Sequence, residues 1–287
     1  NVESTVAEGV KSFDTSGFTL GTDGNYNTSS SLQVAWCWNT QGGAGSANEV
    51  GGINTTTTSL GATQGFSIST YTGTGSAATI GHGLGAVPEF IIVKERTNDA
   101  GSWFVYHHKN TAAPETDYLL LDSSSITTDD ATVWNDTAPT STVFSVGTHD
   151  DVNESSGTYV AYCWAGIEGY SKFGSYIGNS STDGPFVWCG FRPAWLWINR
   201  ASQAGAEEVV VDSGRSPFNV MTAAVALDVT HTEAYMGTGS GPTDFLSNGF
   251  KIRGSTPAQN YDTRTFVWAA FAEFPFGGDG VAQGRAR

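Results

Sequence analysis

The side chains able to do chemistry in this sequence are five histidines, three cysteines, scattered carboxylates and nine tryptophans. The histidines are His82, His107, His108, His149 and His231. His107 and His108 adjoin at the end of an apolar run, Trp103-Phe-Val-Tyr106. Neighbouring residues of a strand project to opposite faces, so a regular strand does not turn both onto one metal ion. His82 lies in Gly81-His-Gly-Leu-Gly85. No G-x-G-x-x-G opens a helix there, so the stretch reads as a turn with positive φ angles rather than a dinucleotide loop. The cysteines, Cys37, Cys163 and Cys189, are odd in number and far apart, which argues against a disulfide framework. Cys37 and Cys163 stand in Trp-Cys-Trp and Tyr-Cys-Trp, and a third copy of that segment carries Ala270 in their place. A position that accepts Cys or Ala between aromatics is a small packing site, not a nucleophile.

Carboxylates offer two further chemistries. The loops Thr22-Asp-Gly-Asn25, Asp129-Asp130 and His149-Asp-Asp-Val-Asn-Glu154 present hard oxygen ligands. Calcium is the ion they would suit, but none has EF-hand spacing, and solvated turns explain them. No cofactor is expected. Glycoside hydrolysis requires two carboxyl groups facing across a cleft. The acids include Glu89, Glu95, Asp212 and Asp228, yet internal repetition matches Glu89 with Ala194 and Glu95 with Arg200. Asp122 and Asp228 do recur, at a strand end where a turn cap accounts for them. No catalytic residue is assigned, and an enzyme is not expected. Trp195 and Trp197 alternate with Leu196 and Ile198, so they share one strand face. That face is either sandwich core or a platform for a sugar ring or a neighbouring subunit. These two are the candidate ligand-binding residues.

The elements that must position these groups are repeated. One segment occurs three times: Gly17-Phe-Thr-Leu-Gly-Thr22 followed by Leu32-Gln-Val-Ala-Trp-Cys-Trp38; Val143-Phe-Ser-Val-Gly-Thr148 followed by Thr158-Tyr-Val-Ala-Tyr-Cys-Trp-Ala165; and Gly249-Phe-Lys-Ile-Arg253 followed by Thr265-Phe-Val-Trp-Ala-Ala-Phe-Ala272. A second segment occurs twice, as Tyr71-Thr-Gly73 leading to Pro88-Glu-Phe-Ile-Ile-Val-Lys-Glu95 and Tyr176-Ile-Gly178 leading to Pro193-Ala-Trp-Leu-Trp-Ile-Asn-Arg200. All read as short strands bounded by turn residues, with Ile91–Val93 and Val209–Val211 buried on both faces. Residues 220–228 alone tolerate helix. The expected fold is all-β, with tandem β-sandwich, jelly-roll-like repeats. The expected divisions are 1–64, a partial repeat and linker; 65–169 and 170–276, two full repeats; and 277–287, a flexible tail. Gln41-Gly-Gly-Ala-Gly-Ser46 is linker-like by composition.

Composition narrows function. A formal net charge of −15 with no Lys/Arg cluster repels phosphate backbones and anionic bilayers, so neither nucleic acid nor membrane is an expected partner. No run approaches the roughly 18–20 apolar residues that span a bilayer. The start, Asn1-Val-Glu-Ser4, is neither an initiator Met nor a signal peptide, so the chain is expected to begin inside a longer protein or to have lost its first residues.

Gly81-His-Gly-Leu-Gly-Ala-Val-Pro-Glu-Phe-Ile-Ile-Val-Lys94, Tyr159-Val-Ala-Tyr-Cys-Trp-Ala165, Gly169-Tyr-Ser-Lys-Phe-Gly-Ser-Tyr-Ile-Gly178, Gly184-Pro-Phe-Val-Trp188 and Ser247-Asn-Gly-Phe-Lys-Ile-Arg253 carry a resemblance. Over most of residues 17–287 the chain resembles a tandem β-domain family of undescribed function found in virion proteins of tailed bacteriophages. The resemblance implies a virion structural protein: a tail fibre, spike or other appendage with an adhesive role at the host surface, or alternatively a capsid decoration or head fibre. It implies assembly with copies of itself, a trimer being expected, and with other virion proteins, and contact with a host-surface glycan. It supplies no catalytic residues. A polysaccharide-acting enzyme and a carbohydrate-binding module are the rival readings.

Overall fold

A computed structural model describes residues 3–15, 17–40, 45–97, 101–229 and 242–272. His231, the tail at 277–287 and residues 41–44 of the linker-like stretch lie outside them. The first segment holds β1 (Val10–Asp14) and β2 (Gly17–Leu20). The middle of the chain holds β3 (Thr57–Gly61), β4 (Phe66–Thr72), β5 (Ala78–Gly81), β6 (Phe90–Glu95), β7 (Trp103–His107), β8 (Asp117–Leu120), β9 (Thr128–Asp129), β10 (Val143–Val146) and β11 (Thr158–Trp164). The last part holds β12 (Ser171–Ile177), β13 (Phe186–Trp188), β14 (Pro193–Arg200), β15 (Val209–Asp212), β16 (Val225–Ala226), β17 (Thr243–Leu246), β18 (Gly249–Ile252) and β19 (Thr265–Ala272). The α-helices among the described residues are single turns: α1 (Gly24–Asn27), α2 (Ala131–Trp134), α3 (Asp150–Asn153) and α4 (Pro257–Asn260). None is long and apolar enough to cross a membrane.

The fold is all-β, and every ladder between these strands is antiparallel. A seven-stranded sheet runs β3-β4-β11-β6-β7-β8-β9, and a five-stranded sheet runs β12-β19-β14-β15-β16. Smaller sheets are β10-β5, β13-β18-β17 and β1-β2. Thr57–Gly61, inside the segment read as partial repeat and linker, adds an edge strand to the seven-stranded sheet. Residues 220–228 hold β16 and a bridge from Met221 to Thr243 rather than helix.

Side-chain alternation sorts each large sheet into two faces. Ile91, Val93, Ala161 and Cys163 pack against Ile80, Phe144 and Val146 of the small sheet in their own repeat. Leu196, Ile198, Val209 and Val211 do the same against Val187, Phe245, Phe250 and Ile252. The opposite faces meet each other: Phe66, Phe90, Ile92, Val105 and Trp164 share one cluster with Phe173, Trp197, Val210, Val267 and Phe271. Four β layers are thus stacked, with the large sheets back to back. This is why the apolar runs in β6 and β15 carry no polar alternation.

An asparagine at the end of the short helix is a repeated clamp in α3, α4 and α1. Asn153 Nδ2 donates to the carbonyls of Ser76 (2.7 Å) and Gly147 (2.7 Å), and its Oδ1 accepts from Thr74 N (2.9 Å). Asn260 Nδ2 donates to Ser181 O (2.8 Å) and Gly254 O (2.9 Å), and its Oδ1 accepts from Asn179 N (2.7 Å). In the partial repeat Asn27 Nδ2 donates to Gly21 O at 2.8 Å. Asn153 and Asn260 are buried and Asn27 is exposed. Asn260→Ala is therefore expected to cost about 2–3 kcal/mol, against about 1 kcal/mol or less for Asn27→Ala, measured by urea unfolding.

Candidate functional site

Of the residues that invited a chemical reading, His107, His108, Trp195 and Trp197 lie at the junction between the large sheets. His107 and His108 both reach across it. His107 Nε2–H donates to Trp268 O at 3.1 Å, while its Nδ1 accepts from Lys109 N at 3.1 Å. One nitrogen donates and the other accepts, so the ring is neutral. Burial pushes its pKa down to about 3. His108 Nε2 lies 3.1 Å from Phe173 O and 3.4 Å from Glu89 Oε2. Burial lowers its pKa too, with the Phe173 carbonyl and the Glu89 charge opposing. The pair therefore fastens one repeat to the backbone of the other. Among the described residues no three His, Cys, Asp or Glu side chains converge as a metal site.

Trp197 is fully buried in this junction, so its ring offers no solvent-facing platform. Its Nε1–H donates to Glu208 Oε2 at 3.0 Å, and Asn199 Nδ2 donates to Glu208 Oε1 at 2.5 Å. Glu208 is itself fully buried. Desolvation raises its pKa well above the usual carboxylate range; the Asp228 and Asp122 charges push the same way, and the two donors oppose. Sequence reasoning passed over Glu208. The available signal was a charged residue opening a triple-valine strand. Because both its oxygens are taken by protein donors and its side chain is sealed from solvent, Glu208 does not serve as one half of a glycosidase pair. Asp122 and Asp228 cap backbone, accepting from Trp103 N (3.2 Å) and Glu208 N (3.1 Å).

Trp195, on the same face as Trp197, is only partly buried. It meets Trp36 edge-on at 6.0 Å and Trp38 at 5.5 Å between ring centroids. Trp36 Nε1–H points to Asp212 Oδ2 at 3.4 Å, under the Arg215 guanidinium. The partial repeat is therefore docked on the junction by alternate residues, around an apolar cleft of about 420 Å³. Trp195 lines that cleft together with Trp103, Tyr162 and Trp164.

Beyond those two tryptophans the partial repeat is open. In the complete copies the trailing strand is central: β11 lies between β4 and β6, and β19 between β12 and β14. Residues 32–38, expected as strand, form no ladder, because no described strand flanks them as β4 and β6 flank β11. By register, Phe13 and Phe18 correspond to Phe245 and Phe250. Phe245 is 1% exposed, whereas Phe13 is 86% exposed. An open hollow of about 250 Å³, lined by Phe13, Phe18, Ala35 and Cys37, stands where the other copies have core. Cys37 is exposed for this reason, unlike Cys163, whose thiol is buried with its pKa pushed up. Cys189 is buried as well, its pKa raised to about 11 by desolvation.

The acidic loops are spent on helix starts. Asp23 accepts from Asn25 N, Asp130 from Thr132 N, and His149 Nδ1 from Asp151 N. His82 is buried in its glycine turn, where Gly83 and Gly85 have φ of 73° and 71°. Comparison with curated proteins and with solved structures found no match. Residues 1–275 match the model of the family described as Domain of unknown function (DUF7483), and the chain belongs to that family.

Proposed function

We propose that the chain is a non-enzymatic structural protein of a bacteriophage virion. In this reading, tandem sandwich-like repeats form a tail fibre, spike or similar appendage that contacts the host surface. The observation that carries the structural part is the uncovered half-repeat. Phe13, 86% exposed, stands where Phe245 is core, and Leu32, 95% exposed, adds bare apolar surface in the same half-repeat. Exposed apolar surface of that kind marks an assembly contact. The virion placement rests on the sequence resemblance. Fixing the repeats back to back suits a rigid appendage, since His107 and His108 tie them by backbone carbonyls as well as by apolar packing.

Light scattering on the purified chain tests this reading. The expected result is a stable multimer, a trimer above all, that Phe13→Asp with Leu32→Asp reduces to a monomer. Both positions are exposed, so neither change disturbs the cores. A wild-type chain that stays monomeric at micromolar concentration would sink the proposal.

A further inference from the structure

A second groove, separate from the tryptophan cleft, opens where residues 166–171 lead from one repeat to the next. Its volume is about 360 Å³, within the range of small-molecule sites. Trp188, Lys172, Glu89, Glu168 and Ser171 line it. Trp188 ends β13 and is 56% exposed, an unusual state for so large an apolar ring. The Lys172 ammonium lies 3.7 Å from the ring centroid.

The repeats show that the fold does not require this ring. Val187 pairs with Phe250 as Ile80 pairs with Phe144, so Trp188 corresponds to Gly81. Likewise Glu89 corresponds to Ala194 and Lys172 to Ser67 by the same registers. Three groove residues thus replace small ones at positions where the other copy folds equally well. They meet only at this junction.

We propose that this groove binds an uncharged saccharide, with a sugar ring laid on Trp188. An indole face accepts the C–H side of a pyranose, while carboxylates take hydroxyl protons and an ammonium donates to ring or hydroxyl oxygens. Two carboxylates against one ammonium leave the groove net negative, which disfavours uronic and sialic acids. The inference rests on the adhesive part of the reading above and gives it a ligand class.

Saturation-transfer NMR and calorimetry with neutral oligosaccharides of glucose, galactose, mannose and N-acetylglucosamine test it, with glucuronate as the acidic control. Binding of at least one neutral sugar is expected. Trp188→Ala should weaken it by about tenfold, the loss of one stacking platform. Phe218→Ala, an exposed aromatic elsewhere, should leave it unchanged. Near-UV circular dichroism checks that the variants are folded. No binding by any neutral sugar, preference for glucuronate, or undiminished binding by Trp188→Ala overturns the inference. Light scattering on the same samples keeps the two readings apart: a multimer that binds no sugar defeats only this one.

Discussion

Replacing His107 by Phe should lower stability near pH 7.5 by about 2 kcal/mol and also remove an acid-sensitive component of unfolding. The first effect follows from leaving Trp268 O and Lys109 N without their buried partner. The second follows from linkage. The pKa of His107 is depressed from 6.5 to about 3, so the folded chain binds fewer protons than the unfolded one. Its contribution is fully present above pH 6.5 and is lost as the pH falls towards 3. The slope is about 1.4 kcal/mol per pH unit, on the order of 5 kcal/mol in all. Urea unfolding at a series of pH values checks this. If wild type and His107→Phe lose stability in parallel below pH 6.5, the imidazole is not the responsible group.

Glu208→Gln should act in the opposite direction. The folded-state pKa of Glu208 is raised, so its contribution is fully present below the usual value of 4.5 and is lost as the pH rises. At pH 8 the glutamine variant should be more stable than wild type by about 1–3 kcal/mol, with the gap closing towards pH 4. Asn199 Oδ1 has no hydrogen-bond partner among the described residues, so turning that amide lets it accept from the new side chain. A variant less stable than wild type at pH 8 would show that Glu208 is held ionised. Between pH 4.5 and 6.5 the two groups oppose each other in the wild-type profile. Protonation of His107 lowers stability as the pH falls, ionisation of Glu208 lowers it as the pH rises, and each single variant exposes the slope of the other.

Much of the fold was legible because its signals are local. Phe18, Phe144 and Phe250 announce the repeat, and alternation places Trp195 and Trp197 on one face. The unbroken apolar runs around Ile91 and Val210 require cover on both sides. What covers those faces depends on how the large sheets dock, and no local pattern encodes that. For the same reason His107 read only as a strand end and Glu208 escaped notice. Trp188 carried no signal of its own in the sequence, and only its correspondence to Gly81 of the other repeat reveals it as dispensable to the fold. Residues 32–38 misled for a different reason. Their pattern is that of a strand, but a strand also needs neighbours.

The central position of β11 and β19 bears on how the protein is made. Each is the last strand of its repeat to leave the ribosome, yet each separates strands laid down long before it. Until Thr158–Trp164 emerges, β3-β4 and β6-β7-β8 are two half-sheets with facing, unsatisfied edges. β12 must wait in the same way for Thr265–Ala272. Folding therefore closes like a wedge driven in last, and a nascent or cleaved chain that stops short of either strand exposes long β edges to its neighbours. Truncation from the C-terminal side should bring on aggregation at two discrete lengths, not gradually.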